Sequence, residues 1–159
     1  LLPAILFRTA RRQCDADVEA LSRSEATILP VEHQARLEGE IQRVIEKYAF
    51  DPSFITTYPQ YQALITTGVG AHHAGQLLMW RLLLEELMSR GLLRLMIATG
   101  TVAAGVDFPA RTAVITAHSK RGSEGFSVLL SSAEFQQMAG AALVGEAKTP
   151  WGCVLSHRV

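Results

Sequence analysis

Cysteine is scarce in this sequence, and neither sign of charge is in excess. Only Cys14 and Cys153 occur among the 159 residues, and they are too few and too far apart for a disulfide framework. This scarcity favours an intracellular, cytoplasmic location. The 15 basic residues balance the 15 acidic ones, so no overall positive field draws the chain onto nucleic acid. Any such binding must come from local patches.

Long apolar runs are also missing. No uninterrupted apolar stretch reaches the length that crosses a bilayer, so we expect no membrane partner. The apolar opening at 1–7 has no basic residues before it and several arginines behind it, which favours a core strand over a signal peptide. Because the sequence begins at Leu1 without Met, we expect it to be part of a longer protein. The length predicts a single domain over residues 1–159, and the 48% hydrophobic content argues against disorder.

Apolar patterning predicts an α/β fold. Three apolar runs have the character of buried strands, and segments with helical spacing lie between them. The strands are predicted at 1–7, 92–98 and 112–117, and two of the helices at 10–21 and 77–88. A helix that leads from one strand into another makes a parallel crossover unit, so the central sheet should be mainly parallel.

Local signals predict the remaining elements. An amphipathic helix begins near Val31 and is expected to end at Asp51, and a shorter helix is closed by Gly68. A capping box at 131–134 predicts another helix. Residues 152–156 are predicted to form a last short strand.

The stretch from Leu92 to Ala117 is the one around which the rest of the sequence is organised. Its first apolar run stops abruptly at Thr99-Gly100-Thr101, and small residues follow. A strand that ends in hydroxyls and glycine, with a helical turn behind it, places backbone N–H groups where phosphate oxygens can approach. A tight turn explains the same residues, because Gly and Thr are common at strand ends.

Three arginines surround the first predicted turn. Arg8 ends the first strand, while Arg11 and Arg12 lie in the first turn of the following helix, where cations are poorly placed for the helix dipole. A phosphate contact would explain their position. A solvated helix face would explain it about as well.

His72 and His73 are adjacent, which suggests a metal site. However, neighbours on a strand point to opposite faces, and no third ligand lies at a useful spacing, so we expect no metal here. The simpler alternative is a short strand that runs into a loop, with one histidine bonded to a backbone carbonyl.

Four blocks, in this order, resemble the motifs of superfamily 2 helicases of the Ski-like, DExH-box type. The blocks are PAILFRTARRQCD at 3–15, GVGAHHAG at 68–75, ATGTVAAGVDFPAR at 98–111 and EFQQMAG at 134–140. The block at 98–111 is the most specific. The resemblance implies the second, C-terminal RecA-like domain of an ATP-dependent helicase. Its fold would be a three-layer α/β sandwich with a mainly parallel central sheet, helices on both faces and a helical insertion at about 25–67.

The resemblance also implies roles for individual residues. Arg8, His73, Thr99 and Thr101 would bind nucleic acid, whereas Gly105, Asp107 and Gln137 would face the nucleotide, with Gln137 also near the γ-phosphate in catalysis. The nucleotide would be ATP with Mg²⁺, bound mainly by an N-terminal RecA-like partner domain of the same protein, because this chain has no Walker A or DExH block. RNA is the expected substrate, with DNA as the alternative, because the helicases that this sequence resembles act on RNA. Closure of the two domains would couple ATP hydrolysis to strand translocation or unwinding.

One block departs from the family pattern. Family members continue Gln-x-x-Gly-Arg-x-Gly-Arg, but Ala141 and Val144 stand here at the two arginine positions. Loss of an arginine finger lowers the rate by roughly 10³ to 10⁵, so we expect the isolated domain to be inactive. Three explanations are open: the domain has lost catalysis, the block has been altered, or the sequence near Gly140 joins residues that a further segment separates in the parent protein. The alternative function is a degenerate RNA-binding or scaffolding module.

Overall fold

The computed structural model describes residues 3–100, 110, 112–116, 119–121, 127–129, 131–140 and 152–155. The helices are α1 (Arg11–Ser22), α2 (Val31–Lys47), α3 (Pro52–Thr56), α4 (Tyr61–Thr67), α5 (Leu78–Ser89) and α6 (Ser132–Gly140), with a 3-10 turn at Glu25–Thr27. The strands are β1 (Ala4–Arg8), β2 (Val69–His72), β3 (Leu95–Thr99), β4 (Thr112–Ile115), β5 (Ser119–Arg121), β6 (Ser127–Leu129) and β7 (Gly152–Leu155).

Five of the strands form one parallel sheet in the order β2-β3-β1-β4-β7. The strands β5 and β6 form a separate antiparallel pair. The first strand, β1, lies at the centre of the sheet, between β3 and β4. The strands β2 and β3 form one side of the sheet, and β4 and β7 form the other. The predicted parallel central sheet is confirmed.

Side chains of the central strands alternate between two cores. Ile5 and Phe7 of β1 join the larger core with α2 and α5, whereas Leu6 packs against the smaller core beneath α1. On β3, Met96 likewise faces the larger core and Ile97 the smaller. Period-two alternation with apolar residues on both sides is what a strand buried on both faces requires. Helices therefore cover both faces of the sheet, and the fold is the predicted RecA-like three-layer sandwich.

Residues 25–67, predicted to be a helical insertion, contain α2, α3, α4 and the 3-10 turn, and no strand. The apolar face of α2 is formed by Leu37, Ile41, Val44 and Ile45, all of which are buried. Their spacing matches the helical period, which is why the sequence pattern located this helix.

The predicted end of α2 at Asp51 is wrong. The helix ends at Lys47, and Ala49 then adopts a positive φ of 51°. Asp51 instead begins α3, because its carboxylate accepts hydrogen bonds from the backbone N–H of Ser53 at 2.9 Å and from the Ser53 hydroxyl at 2.7 Å.

The strand predicted from Leu92 begins later, at Leu95. The N–H of Leu92 donates to the carbonyl of Leu87 at 2.9 Å, and Gly91 has a φ of +67°, so Leu92 still belongs to the turn that closes α5. Leu93 is fully buried without being part of the strand. The apolar run from Leu92 therefore predicted burial correctly, but it predicted the start of the strand incorrectly. No helix in the described part of the chain is both long enough and apolar enough to cross a membrane.

Candidate nucleic-acid interface

The carboxyl ends of three adjacent strands bring several predicted site residues to one edge of the sheet. Arg8 at the end of β1 lies opposite Thr99 at the end of β3, and His72 at the end of β2 lies opposite Ala98. His73 follows directly. In parallel sheets, ligands bind beyond this edge, because all the strand ends and the loops that follow them face the same way.

Arg8 is held by a carboxylate of the following helix. Its Nε donates to Asp17 Oδ2 at 2.5 Å and its Nη2 donates to Asp17 Oδ1 at 3.0 Å, which makes the ion pair bidentate. The two side chains are 29% and 25% exposed. The sequence predicted either a phosphate contact or a solvated helix face for Arg8, and the structure instead shows an ion pair with Asp17. A phosphate would share this guanidinium with Asp17.

Both histidines bond to carboxylates, on opposite faces of the sheet. His72 Nε2 lies 2.7 Å from Glu85 Oε1 of α5, and His73 Nε2 lies 3.1 Å from each carboxylate oxygen of Asp15 in α1. The predicted backbone carbonyl partner is therefore wrong, although the two rings do diverge as strand geometry predicts. Among the described residues, no group of three or more His, Cys, Asp or Glu side chains could hold a metal ion.

The ring of His73 is not presented to solvent. The residue is 5% exposed, and its Nδ1 accepts a hydrogen bond from the N–H of Gly75 at 3.2 Å. Both ring nitrogens are thus engaged inside the protein. A direct contact from this ring to nucleic acid would break one of these bonds, and the nucleic-acid role predicted for His73 stays a prediction.

Helix α6 lies beside the end of β3. A Cβ added to Gly100 would lie 2.5 Å from Met138 Cε, so the Met138 side chain covers this glycine and only a residue without a side chain fits there unchanged. Gln137, the preceding residue, is exposed. The helix begins with the predicted capping box, in which the Ser131 N–H donates to Glu134 Oε2 at 2.9 Å and the Glu134 N–H donates to Ser131 Oγ at 3.1 Å.

Several predicted site positions lie outside the described residues. These are Thr101, Gly105, Asp107, Ala141 and Val144. Their predicted roles stay predictions, as do those of Thr99 and Gln137.

The side chains that sequence reasoning missed are acids of α1 and amides near them. Asp15 and Asp17 bind His73 and Arg8 respectively, and the Gln60 amide donates to Asp15 Oδ1 at 2.6 Å. The helical spacing of α1 shows that these acids avoid its apolar face. Nothing in the spacing shows which residue of a distant segment each acid meets.

The Cys14 thiol, next to these acids, has low reactivity. Cys14 is fully buried, and burial, followed by the charges of Asp15 and Asp17, raises its pKa to about 12. Because the thiolate is the reactive form, Cys14 is a packing residue at neutral pH.

Comparison with known proteins decides the family. No family model matches the chain. DExH-box ATP-dependent RNA helicase DExH15, chloroplastic, of Arabidopsis thaliana is 38% identical over 144 residues, which are 89% of this chain and 11% of that protein. Probable helicase HelY of Mycobacterium tuberculosis is 34% identical over 142 residues, and Superkiller complex protein 2 of Homo sapiens is 32% identical over 141 residues. Each match again covers 89% of this chain. The chain is homologous to a segment of the Ski-like, DExH-box helicases.

The chain spans 11% to 16% of the length of these relatives. The resemblance noted from its motifs is confirmed. In three dimensions, the block at 3–15 contains β1 and the start of α1, the block at 68–75 contains β2 and its loop, and the block at 134–140 lies within α6. The block at 98–111 is described at Ala98–Gly100 and at Ala110. Among the described residues, Arg8 of the first block, His73 of the second and Thr99 of the third therefore lie at the carboxyl edge of the sheet, and Met138 of the fourth lies against Gly100.

Proposed function

We propose that this chain is the second, C-terminal RecA-like domain of an ATP-dependent RNA helicase. One observation carries the proposal: Thr99 ends the strand next to Arg8, and α6 packs over the adjacent Gly100 with Gln137 exposed at the same rim. The Arabidopsis relative is named an ATP-dependent RNA helicase, which supports both ATP and RNA as substrates.

The residue roles follow from this arrangement. Thr99 and Thr101 would contact phosphates of the RNA strand. Gly105, Asp107 and Gln137 would face ATP and its Mg²⁺, which an N-terminal RecA-like domain of the same protein would bind for the most part. The exposed Gln137 amide fits this role because a side-chain amide can donate a hydrogen bond to a phosphate oxygen.

The two domains would act as a clamp on a single strand. Bound ATP supplies the free energy for the cycle of closing and reopening. In the closed state this chain would hold the phosphates of the strand along its carboxyl edge, and release on reopening would shift the strand or separate a duplex. We expect such a motor to work in the cytoplasm.

The test is the ATPase activity of the full-length parent protein, measured with and without single-stranded RNA. We expect RNA to stimulate hydrolysis. The chain alone should bind ATP and RNA weakly, because the partner domain would supply the other half of each binding site. Tight RNA binding by the chain alone that does not weaken with salt would contradict the two-domain proposal, since phosphate contacts are salt-dependent.

A second function is favoured by one observation. Ala141 and Val144 replace the arginines that stabilise charge during hydrolysis in the helicase family. A domain of this kind could serve as an RNA-binding or scaffolding module without hydrolysis. RNA binding by the parent protein with no ATPase activity would favour the module.

A further inference from the structure

The loop from His73 to Gln76 is built around a histidine ring. The N–H of Gly75 donates to His73 Nδ1 at 3.2 Å. The His73 N–H donates to Gln76 Oε1 at 3.0 Å, and the Gln76 N–H donates to the His73 carbonyl at 3.1 Å. Three hydrogen bonds therefore set the backbone of a four-residue loop, and one of them depends on the state of the ring.

These bonds assign the tautomer of His73. Because Nδ1 accepts from Gly75, the proton of the neutral ring lies on Nε2, which donates to the Asp15 carboxylate 3.1 Å away. Gln60 fixes the carboxylate in turn by donating to its Oδ1 at 2.6 Å. Without the carboxylate, a proton on Nδ1 would face the N–H of Gly75 and open the loop.

The part of the loop that faces solvent is its backbone. Ala74 and Gly75 are exposed, whereas His73 is buried beneath them. A Cβ at Gly75 would lie 3.5 Å from Arg11 Cδ, so this backbone lies against the side chain of an exposed arginine. Backbone groups beside a guanidinium, at the edge that also carries Thr99, are suited to a phosphate oxygen.

We propose that Asp15 is a positioning residue for RNA binding. Through the Nε2–H of His73, it holds the backbone of Ala74 and Gly75 beside Arg11, where the three together contact a phosphate of the strand. This inference rests on the proposed function. Asp15 is itself an anion whose side chain is 46% exposed, so by charge alone it would weaken RNA binding. When Asp15 is removed, positioning therefore predicts weaker RNA binding, whereas simple electrostatics predicts tighter RNA binding.

The deciding variant is Asp15→Ala in the full-length parent protein, with a fluorescein-labelled oligouridylate as the probe. We expect RNA affinity to fall about three- to tenfold, the size of effect that follows from losing one partly buried hydrogen bond. Asp15→Asn keeps one acceptor and should give an intermediate loss. The RNA concentration that half-saturates the ATPase should rise by the same factor. Hydrogen exchange at the Gly75 amide should become faster.

Glu19→Ala is the matched control, because it removes the same charge from the exposed side of the same helix. Its RNA affinity should be unchanged or slightly higher. Gln60→Met removes the second bond to Asp15 without any change of charge, and it should weaken RNA binding by a smaller factor. If Asp15→Ala does not fold, Gln60→Met tests the inference in its place. Unchanged RNA affinity in Gln60→Met would then count against a positioning role for Asp15.

Two results would overturn the inference in distinguishable ways. If Asp15→Ala binds RNA as tightly as the wild type or more tightly, Asp15 acts only through its charge and the proposed function stands. If the wild-type parent binds no RNA and shows no RNA-stimulated ATPase, the proposed function itself fails, and the inference fails with it before any variant is made.

Discussion

Arg8 and Asp17 form a bidentate ion pair between the end of β1 and the helix that follows it. The pair is partly exposed and lies on the edge of the sheet where Thr99 also ends its strand. A guanidinium held in this way keeps one orientation, and Asp17 engages only its Nε and Nη2. An arrangement of this kind is compatible with a purely structural arginine and with one that also meets a phosphate through Nη1.

Salt dependence separates these two roles. If Arg8 meets a phosphate, Arg8→Ala in the full-length parent should weaken RNA binding at every sequence and reduce the slope of log affinity against log salt by about one. Arg23→Ala is the control, because Arg23 caps the carboxyl end of the same helix and pairs with Glu19. A lower melting temperature with an unchanged salt slope would leave Arg8 a structural role only.

Gly100 should not tolerate a side chain. In Gly100→Ala the new Cβ would lie 2.5 Å from Met138 Cε, so the end of the Met138 side chain must move. Overpacking of this kind lowers the free energy of unfolding by about 1–3 kcal/mol. The end of a methionine is flexible, so we expect a value near the lower limit, measured by urea denaturation. Gly100→Ala should cost less when it is made in a Met138→Ala background than in the wild type, because Met138 Cε is then absent.

Gly39→Ala provides the opposite outcome for comparison. Gly39 lies within α2, is exposed, and an added Cβ would meet nothing within 4 Å. Alanine favours the helix over glycine, so this variant should be more stable by about 0.4–1 kcal/mol. Equal effects at both glycines would mean that Met138 does not cover Gly100.

The stability of the protein should depend on Glu86 in a defined pH range. Hydrogen bonds from Lys47, Arg90 and Tyr48, with that from Lys47 the largest, lower the pKa of Glu86 from 4.5 to about 2. Because the folded-state pKa is lowered, the contribution to stability is complete above about pH 4.5 and is lost as the pH falls toward 2. Glu86→Gln should lower the free energy of unfolding by about 1 kcal/mol at pH 7, since these are charge-assisted bonds to a side chain that is 15% exposed and whose partners face solvent.

The measurement is a series of urea denaturations from pH 7 down to pH 2 on both proteins. The difference in the free energy of unfolding between the wild type and Glu86→Gln should shrink steadily below pH 4.5 and vanish near pH 2. Glu38→Gln is a suitable control, because Glu38 is an exposed glutamate on α2. A difference between wild type and Glu86→Gln that stays constant over the whole range would exclude the ionised carboxylate as its source.

Periodicity predicted most of the fold, because burial repeats along each element. The alternation of Ile5, Leu6 and Phe7 belongs to a strand covered on both faces, and the spacing of Leu37 and Ile41 belongs to a one-sided helix. Boundaries were less predictable. Leu92 and Leu93 are apolar because they are packed or adjoin the core, and hydrophobicity alone does not separate a helix-closing turn from the strand that follows.

The polar contacts of the site could not be predicted in the same way. Asp15 and His73 are 58 positions apart, and they meet only because α1 lies over β2. An acid on a polar helix face has the same sequence signature whether it meets solvent or a histidine. Motif resemblance singled out His73 and could not show that its ring would be buried.

The arginines missing from the last motif provide a direct test of catalysis. In the full-length parent, the triple variant Ala141→Arg, Leu143→Gly, Val144→Arg restores the family pattern Gln-x-x-Gly-Arg-x-Gly-Arg. We expect RNA-stimulated ATPase to rise by roughly 10³-fold or more, the effect typical of an arginine that stabilises a transferring phosphoryl group. The control replaces both positions with lysine, together with Leu143→Gly. It adds the same charge without the planar fork that binds phosphate in two places, so its gain should be much smaller. An equal rise with lysine would show that charge alone was missing, and no rise with arginine would favour the non-catalytic module.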